Sequence, residues 1–77
     1  MDLKQILTDI ARAIVDSPDA VNVVENVDGD DVELILTVSE DDTGMVIGRH
    51  GKIAKAIRTV MKAAANSYDK RVNVEIR

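Results

Sequence analysis

Cysteine, tryptophan and phenylalanine are absent from these 77 residues, and histidine, proline and tyrosine occur once each. Without cysteine there is no disulfide staple, no thiolate nucleophile and no Cys-based zinc site. One histidine, His50, cannot make a His-cluster metal centre. With Tyr68 as the lone aromatic, nucleic-acid bases cannot be held on successive stacking platforms of the kind many single-strand binders use. No apolar run exceeds four residues, so no segment spans a bilayer. No charged n-region followed by an apolar h-region opens the chain, so no secretory signal is expected. These absences fit a cytoplasmic protein without cofactor or metal.

What is present fits a small ordered domain. Hydrophobic residues make up 45% and charged residues 31%, a balance that favours a folded chain over disorder. A chain of this length forms one domain, here residues 1–77, with a thin core. The formal net charge of −4 is unevenly spread. Residues 1–43 carry two cations against twelve anions, a balance of −10, whereas residues 44–77 carry eight cations against two anions, a balance of +6. An acidic whole repels nucleic acid at long range. A basic face still binds it at contact, because the Debye length is about 8 Å at physiological salt. Charge alone is equally compatible with the two halves pairing with each other.

Hydrophobic spacing sets the element order. Leu3, Ile6, Leu7, Ile10 and Ile14 recur at helical spacing, predicting a helix over 2–15. Asp2 and Gln5 resemble a capping box at its start. Ser17-Pro18 ends it, since the residue before proline avoids the α region. The Val-rich stretch 21–27 reads as a strand, Asp28-Gly29 as a turn, and 32–38 as a second strand, with Val32, Leu34, Leu36 and Val38 on one face and Glu33, Ile35 and Thr37 on the other, making a hairpin. Glu40-Asp41-Asp42 reads as helix capping rather than as metal ligands. A short helix is expected to begin near Asp41 or Asp42 and to stop at Gly48. A longer one follows from about Lys52 to Ser67, with Ile53, Ala56, Ile57, Val60, Met61 and Ala64 on its apolar arc. Residues 71–76 alternate again as a strand. The order is α-β-β-α-α-β: an α+β fold with a three-stranded sheet packed on three helices.

Chemistry concentrates at Gly48-Arg49-His50-Gly51-Lys52. Two glycines three apart leave the main chain open to close approach by a polyanion. The amides of the following helix and its positive end lie behind that space. Arg49, His50 and Lys52 add charge there. The spacing is not a Walker loop, which needs a longer loop and a Ser or Thr after the lysine, nor a dinucleotide fingerprint. Lys55, Arg58 and Lys62 continue on one side of the helix, a pattern that in most proteins is only a solvated face. No nucleophile or paired carboxylate accompanies His50, so an enzyme is not expected.

The run Val46-Ile47-Gly48-Arg49-His50-Gly51-Lys52-Ile53, continued by Ala54-Lys55-Ala56-Ile57-Arg58, resembles a KH domain, and the element order matches its bacterial type II form. Over its whole length the chain is similar to the small bacterial single-KH-domain RNA-binding proteins of KhpA type. That resemblance implies a non-catalytic binder of single-stranded RNA, about four nucleotides at a time. It implies a post-transcriptional regulator or RNA chaperone in the cytoplasm, linked to cell elongation and division. It also implies a homodimer, or pairing with a larger KH-containing protein. Carried onto this chain, Gly48, Arg49, His50 and Gly51 are the backbone-binding loop, with Lys52 and Lys55 beside it. Val46, Ile47 and Ile53, with Leu36, are expected to border an apolar groove for the bases. The acidic tip Asp28-Gly29-Asp30-Asp31 corresponds to a variable loop that repels phosphate if it flanks that groove.

Overall fold

The structure, a computed structural model, describes residues 2–77. Helix α1 runs Leu3–Ile14. Its first amides are satisfied by Asp2, whose carboxylate accepts from the Lys4 and Gln5 N–H groups at 3.0 and 3.4 Å. The expected capping box is only half made, because the Gln5 side chain donates forward to Asp9 Oδ1 at 2.8 Å. A glutamine at this position can reach either way, and here the neighbour one turn on wins. Leu3, Leu7 and Ala11 are buried, with Ile6, Ile10 and Ile14 packed beside them. After Val15 the chain turns through a single 3₁₀ turn at Pro18–Ala20.

Strands β1 (Asn22–Asp28) and β2 (Asp31–Thr37) form an antiparallel hairpin, closed by Asp28 opposite Asp31. The turn is therefore Gly29-Asp30, one residue later than the spacing predicts. Gly29 has φ +61° and Asp30 does not share the positive φ, the sign pattern of a type II′ hairpin with glycine first. Beyond β2 come a 3₁₀ turn at Glu40–Asp42, helix α2 (Thr43–Ile47) and helix α3 (Lys52–Asn66). Strand β3 (Arg71–Ile76) then returns parallel to β2. The sheet order is β1-β2-β3, so β2 is central and β3 is an edge.

Register stacks the apolar side chains in rows across the face the helices cover. Val23, Leu36 and Ile76 form one row, and Val27, Val32 and Val72 another. Between them lie Glu25, Leu34 and Val74, of which Glu25 is exposed. Val27, at the end of the same strand, is 60% exposed. Leu7, Leu34, Leu36, Val46 and Met61 are the fully buried centre, and burying each such side chain stabilises the fold by about 1.5–3 kcal/mol.

Among the described residues, one charged residue lies in this interior. Asp42 is buried, and its Oδ2 accepts from the Ser17 N–H at 3.0 Å. Its side chain caps no helix. The expected capping role is replaced by a tie between the α1–β1 connection and the start of α2. Ser39 instead leads into the 3₁₀ turn, and its carbonyl accepts from the Asp42 N–H.

Candidate nucleic-acid interface

The bend between α2 and α3 is built by its glycines. The Gly48 N–H donates to Gly44 O at 2.9 Å and ends α2. Gly48 then takes φ +76°, ψ 173°, a region open essentially to glycine alone. A Cβ there would sit 2.6 Å from Ile53 Cγ1 and 3.0 Å from the Ile53 amide nitrogen. Two requirements, the dihedral and the close approach, thus select the same residue. Gly51, at φ +73°, ψ 15°, is left-handed, but a Cβ there would meet open space.

Between them Arg49–Gly51 make one 3₁₀ turn, closed by Gly51 N–H to Gly48 O at 3.2 Å and by Lys52 N–H to Arg49 O. His50 is left-handed, with φ 58° and ψ 25°, a conformation that costs a non-glycine residue about 1–2 kcal/mol. The Arg49 and His50 amides enter none of the bonds that close the bend, and both side chains are exposed. Helix α3 starts without a side-chain cap. Its first amide, that of Lys52, is taken by Arg49 O, and the amides that follow have no side-chain acceptor.

Among the described residues three cations are ion-paired, and the others, Lys4 and Arg12 of α1 and Arg58 of α3 included, are not. Lys70 pairs with Asp30 at 3.1 Å, Arg71 with Asp31 at 2.8 Å and Arg77 with Glu75 at 3.0 Å. Among the described residues, Arg49, His50, Lys52, Lys55 and Lys62 form no ion pair. These five line the bend and the flank of α3 that follows it. Two of the three carboxylates of the hairpin tip, Asp30 and Asp31, are therefore paired with Lys70 and Arg71. The tip also lies at the far end of α3, since β3 begins beside Asp31 just after that helix ends. Fifteen helical residues span roughly 22 Å, so the tip does not flank the bend, and the condition under which it would repel phosphate there is not met.

The apolar residues expected to border a groove do not share one place. Val46 and Leu36 have no exposed surface; both belong to the core behind the bend, Val46 as the anchor of α2. Ile47 and Ile53 are 37% and 38% exposed. At about 100° per residue, Ile53 and Lys55 project from opposite flanks of α3. Ile53 joins Ala56 and Val60 facing Ile10 and Ile14 of α1, around an open apolar cleft of about 400 Å³. The structure thus gathers Gly48, Arg49, His50 and Gly51 at the bend with Lys55 on one flank of α3, while Lys52 borders, with Ile53, the cleft beside α1. Arg58, which the sequence marks only as part of a charged face, donates from Nε to Val74 O at 3.2 Å and bridges α3 to β3.

A three-stranded sheet of this order, with two helices joined by a two-glycine bend between β2 and β3, defines a KH domain in its type II arrangement. The family model described as KhpA/KhpB, KH domain, matches residues 4–76. Relatives named RNA-binding protein KhpA cover almost the full chain. The protein of Clostridium acetobutylicum is 53% identical over 74 residues, 96% of this chain and 99% of its own length. That of Halalkalibacterium halodurans is 45% identical over 96% of this chain and 97% of its own, and that of Treponema pallidum 40% over 95% and 91%. The chain belongs to the KhpA/KhpB family of KH domains.

Proposed function

We propose that this chain, as one KH domain over residues 1–77, is a non-catalytic binder of single-stranded RNA. The observation that carries the reading is the glycine-framed bend at 48–51, with exposed Arg49 and His50, an uncapped α3 start and the unpaired Lys52 and Lys55 beside it. A sugar-phosphate chain lies against the bend, where amides and cations meet it together. The relatives' name as RNA-binding proteins supports the same ligand. The bases lie beside the bend, with Ile47 as an exposed apolar contact. The family reading extends to a cytoplasmic regulator or RNA chaperone serving cell elongation and division.

The test is charge reversal in the bend. Asp is well suited to the left-handed position of His50, so Arg49→Asp with His50→Asp keeps the helical content seen by circular dichroism. Four single-strand phosphate contacts give a log K against log salt slope near −2.8. The double variant loses binding by about 100-fold or more at physiological salt, and any residual slope is shallower. Undiminished binding in a gel-shift assay would remove the proposal.

A second reading is favoured by the apolar cleft between α1 and α3, where Val60 is 51% exposed. In this reading the domain acts mainly by pairing, as a homodimer or with a larger KH-containing protein. Val60→Asp then yields a folded monomer in sedimentation at concentrations where the parent chain self-associates. Pairing that survives both RNase and the bend variant separates this role from RNA binding. The two roles are compatible, and joining two weak sites in a dimer raises affinity through effective concentration.

A further inference from the structure

Resting on the RNA reading, we infer that Arg58 selects the base beside the bend, favouring cytosine or guanine over uracil or adenine. The argument starts from the open edge of β3. The Arg71 and Arg77 N–H groups donate to the carbonyls of Asp30 and Leu36 in β2, at 2.8 Å each. With a two-residue period along the strand, the backbone groups of Val72, Val74 and Ile76 point the other way, toward solvent. Arg58 reaches this edge from α3 and donates Nε–H to Val74 O.

That bond fixes the guanidinium. A free arginine on a helix surface samples many rotamers, as do Lys55 and Lys62 on the same flank. Arg58 is held at Nε, so its two terminal NH₂ groups form a fork of set direction. Among the described residues neither terminal nitrogen has a hydrogen-bond or ion-pair partner. Arg58 is exposed. It lies seven residues beyond Gly51, about 10 Å along the helix, within reach of a strand of some four nucleotides held at the bend.

A planar fork of two donors recognises two adjacent acceptors. Guanine offers O6 and N7, and cytosine offers O2 and N3 on its Watson–Crick edge. Adenine sets its N6 amino donor beside N1 and N7, and uracil sets N3–H between O2 and O4, so neither offers two adjacent acceptors and one arm of the fork is left unmatched. The open backbone edge of β3 supplies further donors and acceptors alongside. Lys55 and Lys62, as mobile point charges, contribute affinity without selecting a base.

The experiment uses fluorescence anisotropy with the full chain and four RNA octamers: oligocytidylate, alternating uridine-guanosine, oligouridylate and oligoadenylate. The first two bind about tenfold or more tightly than the last two, the range a good bidentate pair provides. Arg58→Lys retains the charge and can still reach Val74 O, but it has no fork. It binds all four octamers within about threefold of one another, with an unchanged salt slope and melting temperature. Equal binding of the four by the parent chain overturns the inference and leaves the RNA reading standing. A preference that survives Arg58→Lys also overturns it, as does a uniform loss that merely lowers the salt slope, which would make Arg58 a phosphate contact. Absence of binding to every octamer overturns the RNA reading itself, and this inference with it.

Discussion

Replacing the two bend glycines one at a time separates the two reasons a glycine can be required. At Gly51 an alanine meets no neighbour and must only adopt φ +73°. The left-handed conformation costs about 1–2 kcal/mol, offset by roughly 0.4–1 kcal/mol from a less flexible unfolded chain. The net loss is about 1 kcal/mol. At Gly48 the dihedral belongs to a region costing up to about 3 kcal/mol. The new Cβ also lies 2.9 Å from Ile53 Cβ and 3.0 Å from the Ile53 backbone nitrogen, so the first turn of α3 must move. Gly48→Ala therefore costs about 3 kcal/mol or more. For a domain of this size each kcal/mol shifts the melting temperature by about 4–8 °C, which puts the two variants some 10 °C apart. Urea unfolding followed by circular dichroism gives both losses from the midpoint at constant m. Adding Ile53→Ala to Gly48→Ala removes Cγ1, the closest atom, and recovers part of the loss. The same addition to Gly51→Ala recovers nothing. Equal destabilisation by the two alanines, or no coupling between positions 48 and 53 in the double-mutant cycle, refutes this account of the bend.

Two further substitutions examine parts of the fold that lie outside the bend. Asp42→Ala leaves the Ser17 N–H without its acceptor in a partly buried place and lowers stability by about 1–3 kcal/mol. Asp42→Asn keeps an acceptor oxygen and loses less, and in both variants RNA affinity is unchanged; equal losses would mean that the Ser17 bond contributes nothing. Asp30→Asn and Asp31→Asn break exposed ion pairs with Lys70 and Arg71 and shift stability by less than about 1 kcal/mol each. Because the hairpin tip lies more than two Debye lengths from the bend at physiological salt, RNA affinity stays within about twofold. A large gain in affinity would return the tip to the binding face.

The parts of this molecule that could be read from residue order are those with a period. Val32, Leu34, Leu36 and Val38 alternate, and all four are buried. The helical spacing of Leu3, Leu7 and Ala11 likewise marks the face of α1 that meets the sheet. The glycine pair was legible because its signal is local: it bends the chain wherever the chain goes. What periodicity does not carry is which neighbour covers a face. Ile53 and Ile57 belong to one apolar arc in sequence, yet Ile57 is buried and Ile53 stands at an open cleft beside α1. The acidic run at 40–42 has the composition of a helix cap, but Asp42 finds an acceptor role 25 residues away, at Ser17. The left-handed turn at His50 and the reach of Arg58 to Val74 have no sequence signal. Both follow from how α3 is set against the bend and the sheet edge.

Charge is the property for which a whole-chain count misleads most. A domain of net charge −4 can offer a cationic surface only if its carboxylates stay away from it, and the topology achieves this in two ways. The crossover from β2 to β3 threads the cation-rich half of the chain through the bend and α3. Most anions are left on α1, on β1, in the hairpin tip and in the connections between them. Lys70 and Arg71, at the hairpin tip, are then paired with Asp30 and Asp31. What remains on the bend side is the unpaired group of Arg49, Lys52 and Lys55, with Lys62 farther along α3 toward Arg71 and Arg58 held by a carbonyl rather than a carboxylate. At physiological salt, fields are felt over about 8 Å, so a strand at the bend responds to that group and hardly to the distant tip. At low salt the screening length lengthens severalfold and the acidic bulk is felt as well. The same partition that permits binding at contact slows approach from afar, so on-rates for RNA rise less on dilution of salt than they would for a protein of positive net charge.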